Sequence, residues 1–168
     1  MAKESKGLHQ KALSLIQERG VELTDIADLV LFLQTPYIKD LTQEECLLNV
    51  EAVLLKREVQ NTILTGIQLD ILAEQNQLME PLQNIISSDE GLYGIDEILA
   101  LSIVNVYGSI GFTNYGYIDK IKPGILAKLN SHEGDQIHTF MDDIVGAIAA
   151  AAASRLAHAN PTKSDLVK

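Results

Sequence analysis

Residues 95–107 read IDEILALSIVNVY, and this stretch decides the predicted fold. Its apolar side chains fall on nearly every face that a helix would present, which is typical of a helix buried inside a protein. No alternation of strand-like and helix-like segments accompanies it, and no internal repeat is present. We therefore predict an all-α protein, a multihelical array in which residues 95–107 form the central buried helix.

Capping signals mark helices on either side of this stretch. Thr42 and Glu45 have the spacing of a capping box, which predicts a helix running to about Gln60. Thr139 is placed to cap the last helix, which we predict over residues 140–158. The run 149–153 is all alanine, and such small side chains let a neighbouring helix approach closely. That surface suits either a second copy of the chain, giving a homo-oligomer, or a helix of the same chain.

The composition is that of a single globular domain covering residues 1–168. Apolar residues make up 46% and charged residues 21%, and the net charge of −10 repels nucleic acid, so we expect no nucleic-acid partner. The N-terminus lacks the apolar segment of a signal peptide. The single cysteine, Cys46, has no partner for a disulfide or a zinc site. We therefore expect a cytoplasmic protein.

Residues 98–118 contain no charged side chain and are numerous enough to span a bilayer. Polar residues and glycines interrupt this stretch, however, which favours a buried helix, a break and a second helix. We therefore predict no transmembrane segment. The interrupting residues are Ser102, Asn105, Gly108, Ser109, Gly111, Thr113, Asn114 and Gly116.

Paired acidic residues open two of the predicted helices. Asp96 and Glu97 begin the predicted central helix, and Asp142 and Asp143 begin the last one. Acidic residues in a first turn favour the helix dipole, whereas buried carboxylates need a partner or a cation. Both interpretations stay open for the first pair. For the second pair, capping explains Asp142 but not both residues.

A third acidic position lies in the segment DKIKP, residues 119–123. It combines the Asp119 carboxylate, which suits a metal ion, with two lysines, Lys120 and Lys122, whose ammonium groups suit phosphate oxygens. A solvated turn is the alternative interpretation. A further acidic pair, Asp89-Glu90, precedes Asp96-Glu97 by one heptad, and a capping role is favoured for it.

In their order and spacing, these segments resemble the phosphatidylglycerophosphatase A family. In that family a D-E pair opens an apolar helix, and the motifs D-x-x-K-P and D-D-I-V-x-G follow. The corresponding segments here are Asp96-Glu97, residues 119–123 and residues 142–146, and the resemblance is strongest over residues 89–153. Asp89-Glu90 is an alternative match to the D-E pair.

The resemblance implies Mg²⁺-dependent hydrolysis of a phosphate monoester such as phosphatidylglycerophosphate, a step of lipid metabolism. Mg²⁺ is then the cofactor, and a phosphorylated small molecule or lipid head group is the partner. The family motifs imply catalytic roles for Asp96, Glu97, Asp119 and Lys122, with Lys122 on the phosphate. They imply metal binding by Asp96, Glu97, Asp119, Asp142 and Asp143.

The sequence also departs from the membrane-embedded members that it resembles. It is less hydrophobic, it lacks their glycine-rich N-terminal motif with P-G-T, and it has Gly116 where many of them have an arginine. These departures favour an alternative, a non-catalytic helical regulatory or scaffolding protein that keeps the family core. A third hypothesis, an all-helical nucleotide pyrophosphohydrolase, ranks last because no E-x-x-E motif occurs.

Overall fold

The computed structural model describes residues 2–131 and 134–159, with side chains from residue 7 onward. These ranges contain nine α-helices, one short 3₁₀-helix and no strand, so the all-α prediction is confirmed. The helices are α1 (Ala2–Glu18), α2 (Leu23–Gln34), α3 (Gln43–Leu54), α4 (Arg57–Glu74), α5 (Leu82–Ser87), α6 (Ile95–Val104), α7 (Gly108–Ile121), α8 (Ile125–Leu129) and α9 (Met141–Ala159), with the 3₁₀-helix Asn105–Tyr107 between α6 and α7.

Helix α9 is the centre of the fold. It contacts α2, α3, α4, α6, α7 and α8, and every residue from 141 to 154 is buried. The alanine run 149–153 is completely enclosed, so helices of the same chain use the close approach that small side chains permit. The homo-oligomer that this run suggested stays a prediction.

The prediction that residues 95–107 form the central helix is wrong. Helix α6 ends at Val104, and its outer face is uncovered, with Ile95 52% and Ile98 62% exposed. A helix that is surrounded on all sides needs small residues where its neighbours crowd in, and α9 has them. The apolar pattern of α6 fits a helix that packs on α9 with one face and leaves the other open.

Helices α6 and α7 form an apolar layer against α9. The chain turns at Gly108, whose φ of +73° is natural only for glycine, and Ser154 Oγ of α9 donates a hydrogen bond to the Tyr107 carbonyl at 2.8 Å. The segment 95–121 is long and apolar enough to cross a membrane. An 18-residue stretch of it has a mean hydropathy of 1.4, and 22% of that stretch is buried inside the protein. Length and composition alone are weak evidence for a span, so the absence of a transmembrane segment stays a prediction.

The predicted capping box at the start of α3 is present. Thr42 Oγ1 accepts from the Glu45 amide at 3.2 Å, and the Glu45 carboxylate accepts from the Thr42 amide at 3.0 Å. The helix stops at Leu54 instead of continuing to Gln60. Gln60 belongs to α4 and is buried, and its side-chain amide donates to the Leu54 carbonyl at 2.8 Å. A terminal carbonyl of α3 thus finds its partner in the next helix.

Candidate functional site

One open pocket collects the acidic motifs. The first turns of α6 and α9, the last turn of α7 and the loop after α5 meet around it. All six side chains singled out from the sequence lie in its wall, and the catalytic and metal-binding roles expected of them stay predictions. The lining residues are Asp89, Gly91, Gly94, Asp96, Glu97, Asp119, Lys122, Asn130, Asp142 and Asp143.

Two residues of this wall have a backbone conformation that side chains rarely adopt. Asp89 has φ +50° and Lys122 has φ +48°. Lys122 ends α7 in this left-handed conformation, and its ammonium group reaches the acidic pocket. Such conformations persist where the surrounding structure holds them, and they are concentrated at functional sites. Asp89 shares the pocket with Asp96 and Glu97, so the alternative acidic pair contributes Asp89 to it but not Glu90.

Lys122 lies between three aspartates. Its Nζ is 2.8 Å from Asp119 Oδ1, 2.8 Å from Asp142 Oδ2 and 3.9 Å from Asp143 Oδ1. Burial alone would lower the pKa of Lys122, but the charge of Asp142 and the hydrogen bonds from Lys122 to Asp119 and Asp142 raise it above its usual range. The ammonium group therefore stays charged and compensates the acids around it.

The aspartates of α9 are buried beside one another. Burial, followed by the charge of Asp142, raises the pKa of Asp143 to about 8. Burial also raises the pKa of Asp142, although Lys122 opposes this effect. At α6, burial raises the pKa of Asp96, and the charge of Asp89 adds to it. Ionising all of these carboxyl groups together is therefore unfavourable even beside Lys122, and a bound cation would lower that cost.

The donor set fits a divalent cation such as Mg²⁺. Six carboxyl groups line the pocket, and Mg²⁺ prefers oxygen ligands. A buried hydroxyl, that of Tyr115, also lies against this cluster and interacts with Asp143, although it makes no hydrogen bond of regular geometry among the described residues. Within the described ranges, however, no three acidic, His or Cys side chains stand in a ready metal-binding arrangement. Lys122 occupies the space between Asp119 and Asp142 instead.

Asp70 is a residue of this region that the sequence analysis missed. It belongs to α4 and is fully buried, and its carboxyl oxygens accept from the backbone amides of Phe140 at 3.1 Å and Met141 at 3.0 Å. Asp70 thus caps the start of α9, directly before Asp142. The prediction that Thr139 caps this helix is wrong, because its hydroxyl donates to the Ile86 carbonyl at 2.7 Å.

A second network fixes the loop that leads into α9. Glu74 Oε1 accepts from Arg19 Nη2 at 2.6 Å and from the Ile137 amide at 2.7 Å, and Arg19 also donates to the Ile137 carbonyl. One turn of α4 therefore positions the start of α9 and the loop before it through two carboxylates, Asp70 and Glu74. One feature of the sequence could have indicated that Asp70 is buried: it is a lone acidic residue between Leu69 and Ile71.

Comparison with known proteins identifies the family. The family model described as phosphatidylglycerophosphatase A matches residues 13–158. The chain belongs to the phosphatidylglycerophosphatase A family. The resemblance that three motifs carried in the sequence therefore extends over most of the chain, including its first half.

The chain is also similar to proteins of known sequence and of known structure. The uncharacterized proteins YutG and YpjQ of Bacillus subtilis (strain 168) are 66% and 56% identical over 151 residues, covering 90% of this chain and 91% and 85% of theirs. The crystal structure of the low temperature requirement C protein from Listeria monocytogenes is similar with a TM-score of 0.89, at 73% identity and with 90% of this chain and 96% of that chain covered. The YpjQ crystal structure has a TM-score of 0.88 at 54% identity, covering 92% of this chain and 96% of its own.

Proposed function

We propose that this protein is a Mg²⁺-dependent phosphatase that hydrolyses a phosphate monoester. The observation that carries the proposal is the meeting of three separate acidic motifs with one lysine in a single pocket. Membership of a family described as phosphatidylglycerophosphatase A supports the same reaction class. A carboxylate cluster with an adjacent ammonium group is the chemistry that phosphoryl transfer needs, because it provides a cation site and a contact for phosphate oxygens.

The division of roles follows from position in the pocket. Asp96, Glu97, Asp119, Asp142 and Asp143 would hold the cation, which when bound neutralises phosphate charge and activates water. Lys122 would exchange its contacts with Asp119 and Asp142 for the phosphate oxygens. Its three donors and flexible stem suit this exchange, because the ammonium group acts as a point charge without fixed geometry. Because Asp142 and Asp143 are buried, little solvent screens the interactions between these carboxylates, the cation and the phosphate.

The rim of the pocket supports a lipid substrate such as phosphatidylglycerophosphate. Leu92 is 93% exposed and lies between Gly91 and Gly94 of the pocket wall, and Ile95 and Ile98 continue the apolar surface along α6. Exposed apolar side chains beside a polar pocket are typical of a site that binds a ligand with both characters. A phosphate in the pocket and a lipid chain along this rim would use both surfaces.

The test is the release of phosphate from phosphatidylglycerophosphate in detergent micelles and from glycerol phosphate in solution, with Mg²⁺ and with EDTA. We expect Mg²⁺-dependent release, faster from the lipid, and a loss of at least a hundredfold in Asp142→Asn. The matched control is Glu44→Gln, which removes an exposed carboxylate at the start of α3. Release that ignores EDTA, or that Asp142→Asn leaves intact, would contradict the proposal.

The second candidate is a non-catalytic regulatory or scaffolding protein. One observation favours it: the Lys122 ammonium group lies 2.8 Å from both Asp119 and Asp142 and compensates their charge. In this case Mg²⁺ does not bind in calorimetry, and changing Asp143 to Asn raises the free energy of unfolding, because folding no longer has to protonate or desolvate a buried acid that has no other task.

A further inference from the structure

Tyr115 lies directly beneath the acidic pocket. It is on α7, one turn before Asp119, and it is only 6% exposed. Its ring packs on Gly146 of α9, where a methyl group would lie 3.7 Å from Tyr115 Cε2. Because Gly146 is one turn after Asp143, this contact places the tyrosine under the Asp143 side chain.

The Tyr115 hydroxyl is a buried donor that interacts with the Asp143 carboxyl group. It has no hydrogen-bond partner of regular geometry among the described residues. Buried tyrosines usually have a partner for this group, and leaving it unpaired is unfavourable. Burial, followed by the charges of Asp143 and Asp119, raises the pKa of Tyr115, so the hydroxyl keeps its proton. It can therefore donate to these carboxyl groups when they are ionised.

Asp143 is the aspartate farthest from the Lys122 ammonium group among the three that surround it. Lys122 Nζ lies 2.8 Å from both Asp119 and Asp142 but 3.9 Å from Asp143. The Asp143 side chain is also almost fully buried, with 6% of its surface exposed. A donor without a regular hydrogen bond and a weakly paired acceptor thus lie side by side on neighbouring helices.

We propose that Tyr115 is a positioning residue, whose hydroxyl donates a hydrogen bond to the Asp143 carboxylate when a divalent cation is bound in the pocket. The bond fixes the orientation of this carboxylate toward the cation. A hydrogen bond to a charged acceptor is stronger than one between neutral groups, so the cation-bound state gains most from it. The inference rests on the proposed function only in that it takes the pocket to bind a divalent cation.

The test compares Tyr115→Phe with Tyr117→Phe in the full chain. Tyr117 is exposed on the same helix and stacks on Phe32, so its variant controls for the loss of a tyrosine hydroxyl. Mn²⁺ binding is measured by calorimetry, and the melting temperature is measured in EDTA. We expect Tyr115→Phe to raise the Kd for Mn²⁺ about tenfold while its melting temperature in EDTA stays equal or rises, because phenylalanine removes an unpaired buried polar group.

Three outcomes would overturn the inference, and they are distinguishable. An unchanged Kd in Tyr115→Phe would refute the role of Tyr115 while leaving the proposed phosphatase intact. A melting temperature in EDTA that falls by several degrees would assign the tyrosine to packing alone. A wild-type protein that binds no Mn²⁺ would refute both this inference and the proposed function.

Discussion

Lys122 Nζ lies 2.8 Å from Asp142 Oδ2, and this contact joins the end of α7 to the start of α9 across twenty residues of chain. The two side chains belong to the two most specific motifs of the sequence. Their contact places a positive charge between acids that would otherwise repel one another in a partly buried pocket. The same lysine therefore stabilises the fold, and in the proposed phosphatase it would bind the phosphate oxygens.

Replacing Lys122 by methionine removes this compensation. We expect Lys122→Met to lower the free energy of unfolding in EDTA by about 2 kcal/mol, less than for a fully buried pair because the lysine is partly exposed. Urea unfolding at pH 7 measures the effect, and Lys128→Met on the exposed side of α8 is the control. Adding Asp142→Asn to Lys122→Met should restore part of the loss. Equal stability of the two lysine variants would contradict the role of Lys122.

Asp70 provides a second test, directed at the start of α9. Asp70→Ala leaves the amides of Phe140 and Met141 buried without an acceptor, and we expect a loss of about 3 kcal/mol. Asp70→Asn keeps an acceptor oxygen, so we expect a loss of about 1 kcal/mol. Urea unfolding distinguishes the two variants. If both variants lose the same stability, the hydrogen bonds to α9 do not explain why a carboxyl group is buried here.

Two glycines of the core should respond to alanine in opposite directions. At Gly66 of α4, a methyl group would lie 2.5 Å from Ile144 Cδ1 and 3.0 Å from Phe140 Cβ, so Gly66→Ala should destabilise the protein by about 2 kcal/mol. At Gly146 of α9, the nearest atoms are 3.7 Å away, so Gly146→Ala should stabilise it by about 0.5–1 kcal/mol through helix propensity. Thermal unfolding measures both effects, and a stabilising Gly66→Ala would show that α4 and α9 are less closely packed.

The ion pair between Arg19 and Glu74 predicts a pH dependence of stability. Although burial alone would raise it, the pKa of Glu74 is held below its usual value by the hydrogen bonds from Arg19 and the Ile137 amide. A carboxyl group with a lowered pKa stabilises the folded state above its unfolded pKa, about 4.5, and this contribution is lost as the pH falls through the lower folded value. Glu74→Gln should therefore lower stability at pH 7, and the difference from wild type should shrink toward pH 3.5. A difference independent of pH would contradict the pairing.

The sequence predicted the helical class and the acidic pocket better than it predicted the arrangement of helices. The acidic residues of each motif can be recognised from the sequence alone. The motifs meet because Asp142-Asp143 opens α9, and the other two lie at the ends of α6 and α7, which pack on α9. Which helix is central could not be read from the apolar pattern of residues 95–107, because that pattern does not distinguish a surrounded helix from one with an open apolar face. Asp70 was equally hidden, since its partners lie seventy residues away along the chain.

The central claim is that the three acidic motifs share one cation. Crystals soaked in Mn²⁺ and measured for anomalous scattering test it directly. We expect a strong anomalous-difference peak bounded by Asp96, Asp119 and Asp142, with Lys122 displaced from its present contacts. A structure with no peak in the pocket at saturating Mn²⁺, and with Lys122 still bound to Asp119 and Asp142, would contradict it.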